Sequence, residues 1–211
     1  KDGVLDLIGA ARPSIADPFL PNKIKDGRVE EIRECIGCNI CASCDSLGVP
    51  IRCTQNPTVG EEWRRGWHPE VIEPKKSDKS VLVVGAGPSG LECALQLGRR
   101  GYDVTLAEAS KELAGRALSE SRLKGLSSWK RVADNRIYEL QQMANVSIYT
   151  DSRLTANDVV EFDCDKVFLA TGAKWRRDGT GRTHNFPLTD FGGIRDSTPD
   201  TIMLGRIPSD P

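Results

Sequence analysis

Apolar and polar positions divide the chain into two textures. In Ser80 to Val84 the run Ser-Val-Leu-Val-Val is β-branched and apolar, and it passes directly into Gly85-Ala-Gly-Pro-Ser-Gly90. Beyond the glycines Leu91, Ala94, Leu95 and Leu97 recur on one side of a helix, and Tyr102 to Ala107 reads as a second strand. Strand, Gly-rich turn, helix and strand make a βαβ unit, which requires a parallel sheet with a right-handed crossover. Trp129, Val132, Ala133, Ile137 and Leu140 predict another helix across Trp129 to Met143. Strands are predicted at Val146 to Tyr149 and Asp165 to Ala170. After Gly172 the chain turns polar and turn-rich, and no further element is predicted.

The first third has a different pattern. Residues 3–9, Gly-Val-Leu-Asp-Leu-Ile-Gly, predict a short buried strand, followed by a loop, Ala-Ala-Arg-Pro-Ser-Ile-Ala-Asp-Pro, punctuated by two prolines. Residues 29–34 predict one or two helical turns. From Cys35 to Pro74 there is little periodicity and many turn formers, so this segment is expected to be held by something other than an apolar core. The charged stretch from Pro69 to Lys79 reads as a linker.

Composition narrows the classes. The 211 residues carry 29 basic and 30 acidic side chains, a net charge of -1, which gives no reason to expect a nucleic-acid partner or a polybasic membrane patch. No apolar stretch approaches the roughly 18 residues of a membrane span, and no secretory signal pattern opens the chain. Of seven cysteines, five fall within Cys35 to Cys53. Such crowding without a secretory signal points to a metal or cluster site in a reducing compartment, hence to the cytoplasm. Cys93 and Cys164 stand apart and read as small buried hydrophobes.

Cys35-Ile-Gly-Cys38-Asn-Ile-Cys41 spaces three thiols by two residues each, so one loop can present three corners of a [4Fe-4S] cluster. A fourth ligand comes from further on. Cys53 is favoured, because Cys44 would crowd the same loop. Tetrahedral zinc is the rival, but the chain lacks a second Cys-x2-Cys knuckle or a suitably spaced His pair.

Gly85, Gly87 and Gly90 follow a strand and open a helix, the context in which a Gly-rich turn binds a dinucleotide phosphate. Gly85 makes the tight turn, Gly87 lets a pyrophosphate approach the backbone, and Gly90 lets helix and strand pack. Pro88 and Ser89 begin the helix whose N-terminal N–H groups face the phosphates. Glu108, 21 residues after Gly87, ends the second strand, where a carboxylate can accept both ribose hydroxyls and disfavours a 2'-phosphate. Lys166-Val-Phe-Leu-Ala-Thr171-Gly172 is similar to the strand-then-Ala-Thr-Gly signature of flavoproteins with two dinucleotide domains. Gly115-Arg116 lies where those proteins often carry a Gly-Gly turn. Arg116 is read either as a nucleotide contact or as an exposed loop arginine.

These motifs resemble the iron-sulfur flavoproteins of the old yellow enzyme superfamily, in particular the trimethylamine, dimethylamine and histamine dehydrogenases. The resemblance extends over nearly the whole chain. It rests on Ile8-Gly-Ala-Ala-Arg-Pro-Ser-Ile-Ala-Asp-Pro18, the cysteine run, Cys53-Thr-Gln-Asn56, Gly60-Glu-Glu-Trp-Arg-Arg-Gly-Trp-His-Pro69 and the two nucleotide motifs. It implies an amine-oxidising TIM barrel with FMN, a [4Fe-4S] cluster held by Cys35, Cys38, Cys41 and Cys53, and an electron-transferring flavoprotein as acceptor. It also implies a nucleotide domain holding ADP, or FAD as in the related dienoyl-CoA reductases, and a homodimer.

A (β/α)8 barrel alone takes about 250 residues, so the chain reads as an internal piece of a longer enzyme. Residues 1–30 would be the end of the barrel, with Ala11 and Arg12 at its FMN-phosphate loop. Residues 31–75 would be the cluster module, and residues 76–211 an incomplete nucleotide-binding domain. The fold class expected is therefore α/β, a Rossmann-like parallel sheet preceded by an irregular cluster module and a remnant barrel strand. Ala114 departs from the first glycine of the resembling Gly-Gly turn. A free-standing electron-transfer module and an NAD(P)H-dependent reductase, dienoyl-CoA reductase-like or like the glutamate synthase small subunit, are the alternatives. The second of these needs another Gly-x-Gly-x-x-Gly turn, and none follows Gly90.

Overall fold

A computed structural model describes residues 3–4, 6–66, 71–183, 185–187, 198–203 and 205. The segments Ser80–Val84 (β1), Asp103–Ala107 (β2), Val146–Tyr149 (β3) and Lys166–Leu169 (β4) form one sheet in the order β3-β2-β1-β4. Every pairing is parallel, with Val81 opposite Val104, Val83 opposite both Leu106 and Phe168, and Leu106 opposite Ile148. Four of the five expected strands are present, and the first two of these flank the Gly-rich turn and its helix.

Pro88–Arg99 (α5) begins with proline at a first-turn position, where a missing N–H costs nothing. Arg131–Gln141 (α7) packs against α5, preceded by a 3-10 turn at Ser127–Lys130, so the helix expected over 129–143 is two joined pieces. The apolar stripe of α5 covers β1 and β2, and α7 packs on α5. Val81, Val83, Leu91, Leu95, Val104, Leu106, Ala133 and Leu140 form the core. Burying each large aliphatic side chain contributes about 1.5–3 kcal/mol. At the far end of the sheet β4 is exposed along its whole length, with Leu169 73% accessible.

The first third is built from short helices, Ala11–Ala16 (α1), Leu20–Lys25 (α2), Ile40–Ser46 (α3) and Glu62–Arg65 (α4), with a 3-10 turn at Val29–Glu31. The strand expected over 3–9 is not formed: the described residues there are bends and irregular backbone, and Val4, Leu7 and Ile8 are exposed. A parallel strand needs neighbours to pair with, and this chain brings none beside it among the described residues. The proline-punctuated loop contains α1 instead, because Pro13 fits an early helical position.

A buried carboxylate holds this third together. Asp17 is fully buried, accepts Lys23 Nζ at 2.8 Å and the Arg33 backbone N–H at 3.0 Å, and takes the Phe19 N–H at 3.0 Å. Residues 71–79 have no regular structure, as expected of a linker, yet the Lys75 N–H donates to the Arg100 carbonyl at 2.7 Å. Arg116–Ser121 (α6), Ala156–Glu161 (α8) and Pro199–Met203 (α9) complete the fold and were not expected from the sequence.

Candidate nucleotide cleft and cysteine module

The loop after β1 is shaped by two glycines. Gly85 has φ +100°, and a Cβ there would lie 2.5 Å from the Ala170 carbonyl oxygen. A Cβ on Gly90 would lie 1.8 Å from the Gly85 carbonyl oxygen, so α5 packs onto the turn at a distance only glycine permits. Gly87 differs: nothing lies within 4 Å of the position its Cβ would take. That open side faces a cleft of about 730 Å³. Its lining includes Gly85, Gly87, Ser89, Glu108, Arg116 and Thr171, and Pro88 and Gly172 border it too. The N-terminus of the 12-residue α5 opens onto this space, bringing unpaired N–H groups and the positive end of the helix dipole.

Glu108 lies at the end of β2, buried at 8% exposure. Its Oε2 accepts the Ala86 N–H at 2.7 Å and its Oε1 the Ser110 N–H at 2.9 Å. Burial pushes the carboxyl up, but hydrogen bonds from Ala86, Ser110 and Ala109 together outweigh it and hold the group below its ordinary value. It is therefore an anion at neutral pH. A carboxylate oxygen has two lone-pair directions, so each keeps room for a ligand hydroxyl.

Arg116 is the first residue of α6. Its Nη2 donates to the Ala173 carbonyl at 2.9 Å, its Nε pairs with Asp200 at 3.2 Å, and its guanidinium stacks 5.3 Å from the Trp175 ring centroid. Arg116 lines the cleft, half-buried at the start of a helix rather than exposed in a loop, and is tied down by protein groups. Ala114 keeps the turn that glycine would make, at φ +85°, with its N–H on the Ala86 carbonyl at 2.9 Å. Ser110, Ala173, Trp175 and Asp200 were not expected from the sequence.

The cysteine run curls through two left-handed residues, Gly37 at φ +71° and Asn39 at φ +58°. Cys35 and Cys38 lie in irregular backbone and Cys41 in the first turn of α3, where no helix was expected. Backbone N–H groups of Gly37 and Gln55 point at the sulfurs of Cys35 and Cys53, each at 3.4 Å. Cys38 Sγ lies 3.2 Å from Thr54 Oγ1, which brings the run against the Cys53 segment. All five clustered thiols are free. Among the described residues no three Cys, His, Asp or Glu side chains converge on one point as metal ligands would. The donor chemistry is nonetheless of the kind that ligates an iron-sulfur cluster: five free thiols lie between residues 35 and 53, and two of them have a backbone N–H aimed at sulfur.

Arg12 lies on α1 next to Ala11, exposed, with Nη1 donating to Asn39 Oδ1 at 2.5 Å. The residue expected at an FMN phosphate thus touches the cysteine loop, while leaving other guanidinium nitrogens for an anion. Trp63 is 80% exposed on α4, and Arg64 pairs with Glu61. Trp67, His68 and His184 lie outside the described residues. Cys93 and Cys164 are half-buried rather than buried, and burial pushes the Cys93 thiol up.

Parallel sheet, glycine turn and terminal carboxylate define a Rossmann-type nucleotide-binding domain. The chain belongs to the pyridine nucleotide-disulphide oxidoreductase family, whose sequence pattern matches residues 52–198. It is 46% identical to dimethylamine dehydrogenase of Hyphomicrobium sp. (strain x) over 98% of this chain and 29% of that protein. Among solved structures it is similar to histamine dehydrogenase from Rhizobium sp. 4-9, with 57% identity, a TM-score of 0.92, and 98% of this chain matching 30% of that one. A 2-naphthoyl-CoA reductase matches less closely, with 31% identity, a TM-score of 0.77, and 93% of this chain on 28% of that one. The chain therefore spans under a third of the length of these relatives.

Proposed function

We propose that this chain is the electron-exit and nucleotide-binding portion of an amine dehydrogenase. In that enzyme electrons from a small methylated or primary amine would pass by way of FMN and a [4Fe-4S] cluster to an electron-transferring flavoprotein. The observation that supports the reading is the 46% identity to dimethylamine dehydrogenase over 98% of the chain. The higher identity to histamine dehydrogenase than to the naphthoyl-CoA reductase favours the amine side over the reductase side.

A bound [4Fe-4S] cluster supplies one-electron transfer with little reorganisation. Cys35, Cys38, Cys41 and Cys53 would hold it, and the Gly37 and Gln55 N–H groups would steady two of the sulfurs. Gly85, Gly87 and Gly90, with Pro88 and Ser89, shape a phosphate site, and Glu108 offers its carboxylate to ribose. ADP and FAD share this half, so either fits it. Ala11 and Arg12 are the residues this chain would contribute to the FMN phosphate. Amine oxidation itself is assigned to residues outside the chain.

No helix among the described residues is long and apolar enough to cross a membrane. We assign the protein to the cytoplasm, where clustered thiols stay reduced, and to a homodimer.

The natively isolated protein, prepared without oxygen, should carry about four iron and four acid-labile sulfide per chain. Adding dimethylamine or histamine should then reduce an artificial electron acceptor. One zinc per chain, or no amine-dependent reduction, overturns the reading.

A further inference from the structure

A buried polar junction joins the cysteine module to the nucleotide domain. Gln55 is 2% exposed and Arg136, on α7, is 5% exposed. The Gln55 backbone N–H donates to Cys53 Sγ at 3.4 Å. Its side-chain Nε2 donates to the carbonyl of Glu34, the residue before Cys35, at 2.9 Å, and to that of Arg131 at 3.1 Å. Its Oε1 accepts Arg136 Nη1 at 3.1 Å, and its carbonyl accepts Nη2 at 3.4 Å. Arg136 is itself fixed by Glu92 on α5, at 2.6 Å, and by the Val132 carbonyl at 2.7 Å.

Both donors of the Gln55 amide are used and its oxygen is paired, so the buried group is satisfied in this one orientation. One residue therefore grips the chain at both ends of the thiol constellation, just before Cys35 and just after Cys53. Cys53 needs such a grip more than its partners do. Eleven residues separate it from Cys41, and leaving their backbone free until metal binds would charge the ordering entropy to the binding step. Among the described residues the junction engages Cys53 and not Cys44.

We infer that Gln55 and Arg136 are positioning residues for the metal-binding thiols: Gln55 sets the separation between Cys35 and Cys53, and Arg136 anchors Gln55 to the nucleotide domain. The inference rests on the ligand set given under Proposed function. It predicts that cluster retention depends on a guanidinium bonded to no thiol.

The test uses the natively isolated protein as wild type, Gln55→Met, Gln55→Glu and Arg136→Lys. Iron release to a chelator, the electron paramagnetic resonance spectrum of the reduced protein, and thermal unfolding by circular dichroism are followed together. Gln55→Met should lose iron about ten- to a hundredfold faster, the range typical of groups that orient metal ligands, and should show altered resonance lines while melting cooperatively. Gln55→Glu keeps the acceptor for Arg136 but loses both donors, and should match Gln55→Met. Arg136→Lys keeps the charge beside Glu92 but loses the fork, and should fall between them and wild type.

Wild-type iron retention and spectrum in a cooperatively folded Gln55→Met protein overturn the inference and leave the ligand set standing. Zinc, or no metal, in the wild-type protein overturns the ligand set instead. If Gln55→Met does not fold, Arg136→Lys decides, and wild-type behaviour there overturns the inference.

Discussion

The Ala86 N–H and Glu108 Oε2 meet at 2.7 Å across a sequence separation of 22, locking the glycine turn to the end of β2. The carboxylate that faces the cleft thus also fixes the loop proposed to bind phosphate.

Glu108→Gln tests this double use. The amide must turn an N–H group toward either Ala86 or Ser110, leaving a donor opposed to a donor. About 1–3 kcal/mol is expected for such a mismatch, which should weaken ADP binding roughly ten- to a hundredfold by calorimetry. Wild type should prefer ADP to its 2'-phosphorylated form, and the preference should shrink in the variant.

The glycines separate packing from binding. Gly90→Ala forces a Cβ to 1.8 Å from the Gly85 carbonyl oxygen and should cost about 3 kcal/mol or more in urea unfolding. Gly87→Ala meets open space and should cost under about 1 kcal/mol, since alanine is only a poorer helix N-cap. Its methyl enters the cleft, so ADP affinity should fall while stability nearly holds.

Asp17 gives the first third a pH dependence. Burial raises its pKa, but hydrogen bonds from Lys23, Arg33 and Phe19 with the Lys23 charge outweigh burial, and the folded value is lowered. A lowered folded value gives stability that is present in full above the unfolded pKa of about 3.9 and is lost as pH falls through the folded value. Asp17→Asn, which leaves the nearly buried Lys23 ammonium with the Glu31 carbonyl but no countercharge, should cost about 3 kcal/mol at pH 7. In urea melts the gap between wild type and variant should narrow below about pH 4.

The fourth thiol is open to a direct comparison. Cys53→Ser should lose most of its iron on anaerobic purification, whereas Cys44→Ser should keep about four per chain. The reverse result would move the ligand set to Cys44.

Long periodic segments are legible in the sequence alone. β1 and β2 bury adjacent residues on both faces and read as apolar runs, whereas α5 and α7 each bury one face and read by their helical period. Residues 3–9 mislead for the same reason: an apolar run reports that a segment is suited to cover, not which segment covers it. The six-residue helices α6 and α8 are too short for a period, although α8 has a signal in Thr155 and Asp158, which form a capping box. The glycines and Glu108 are legible because their chemistry needs fixed spacing. Gln55 and Arg136 are not, because a single amide carries no pattern and its partners lie 21, 76 and 81 residues away.

Strand β4 carries a hazard for anyone handling this chain by itself. Val167, Phe168 and Leu169 are 40%, 44% and 73% exposed on a strand whose outer edge has no neighbour among the described residues. A flat apolar edge with open N–H and C=O groups is a template on which other chains add as strands. Preparations should therefore turn cloudy with rising concentration. Phe168→Lys, which puts a charge on that edge, should raise the solubility limit measured by light scattering without disturbing the cleft.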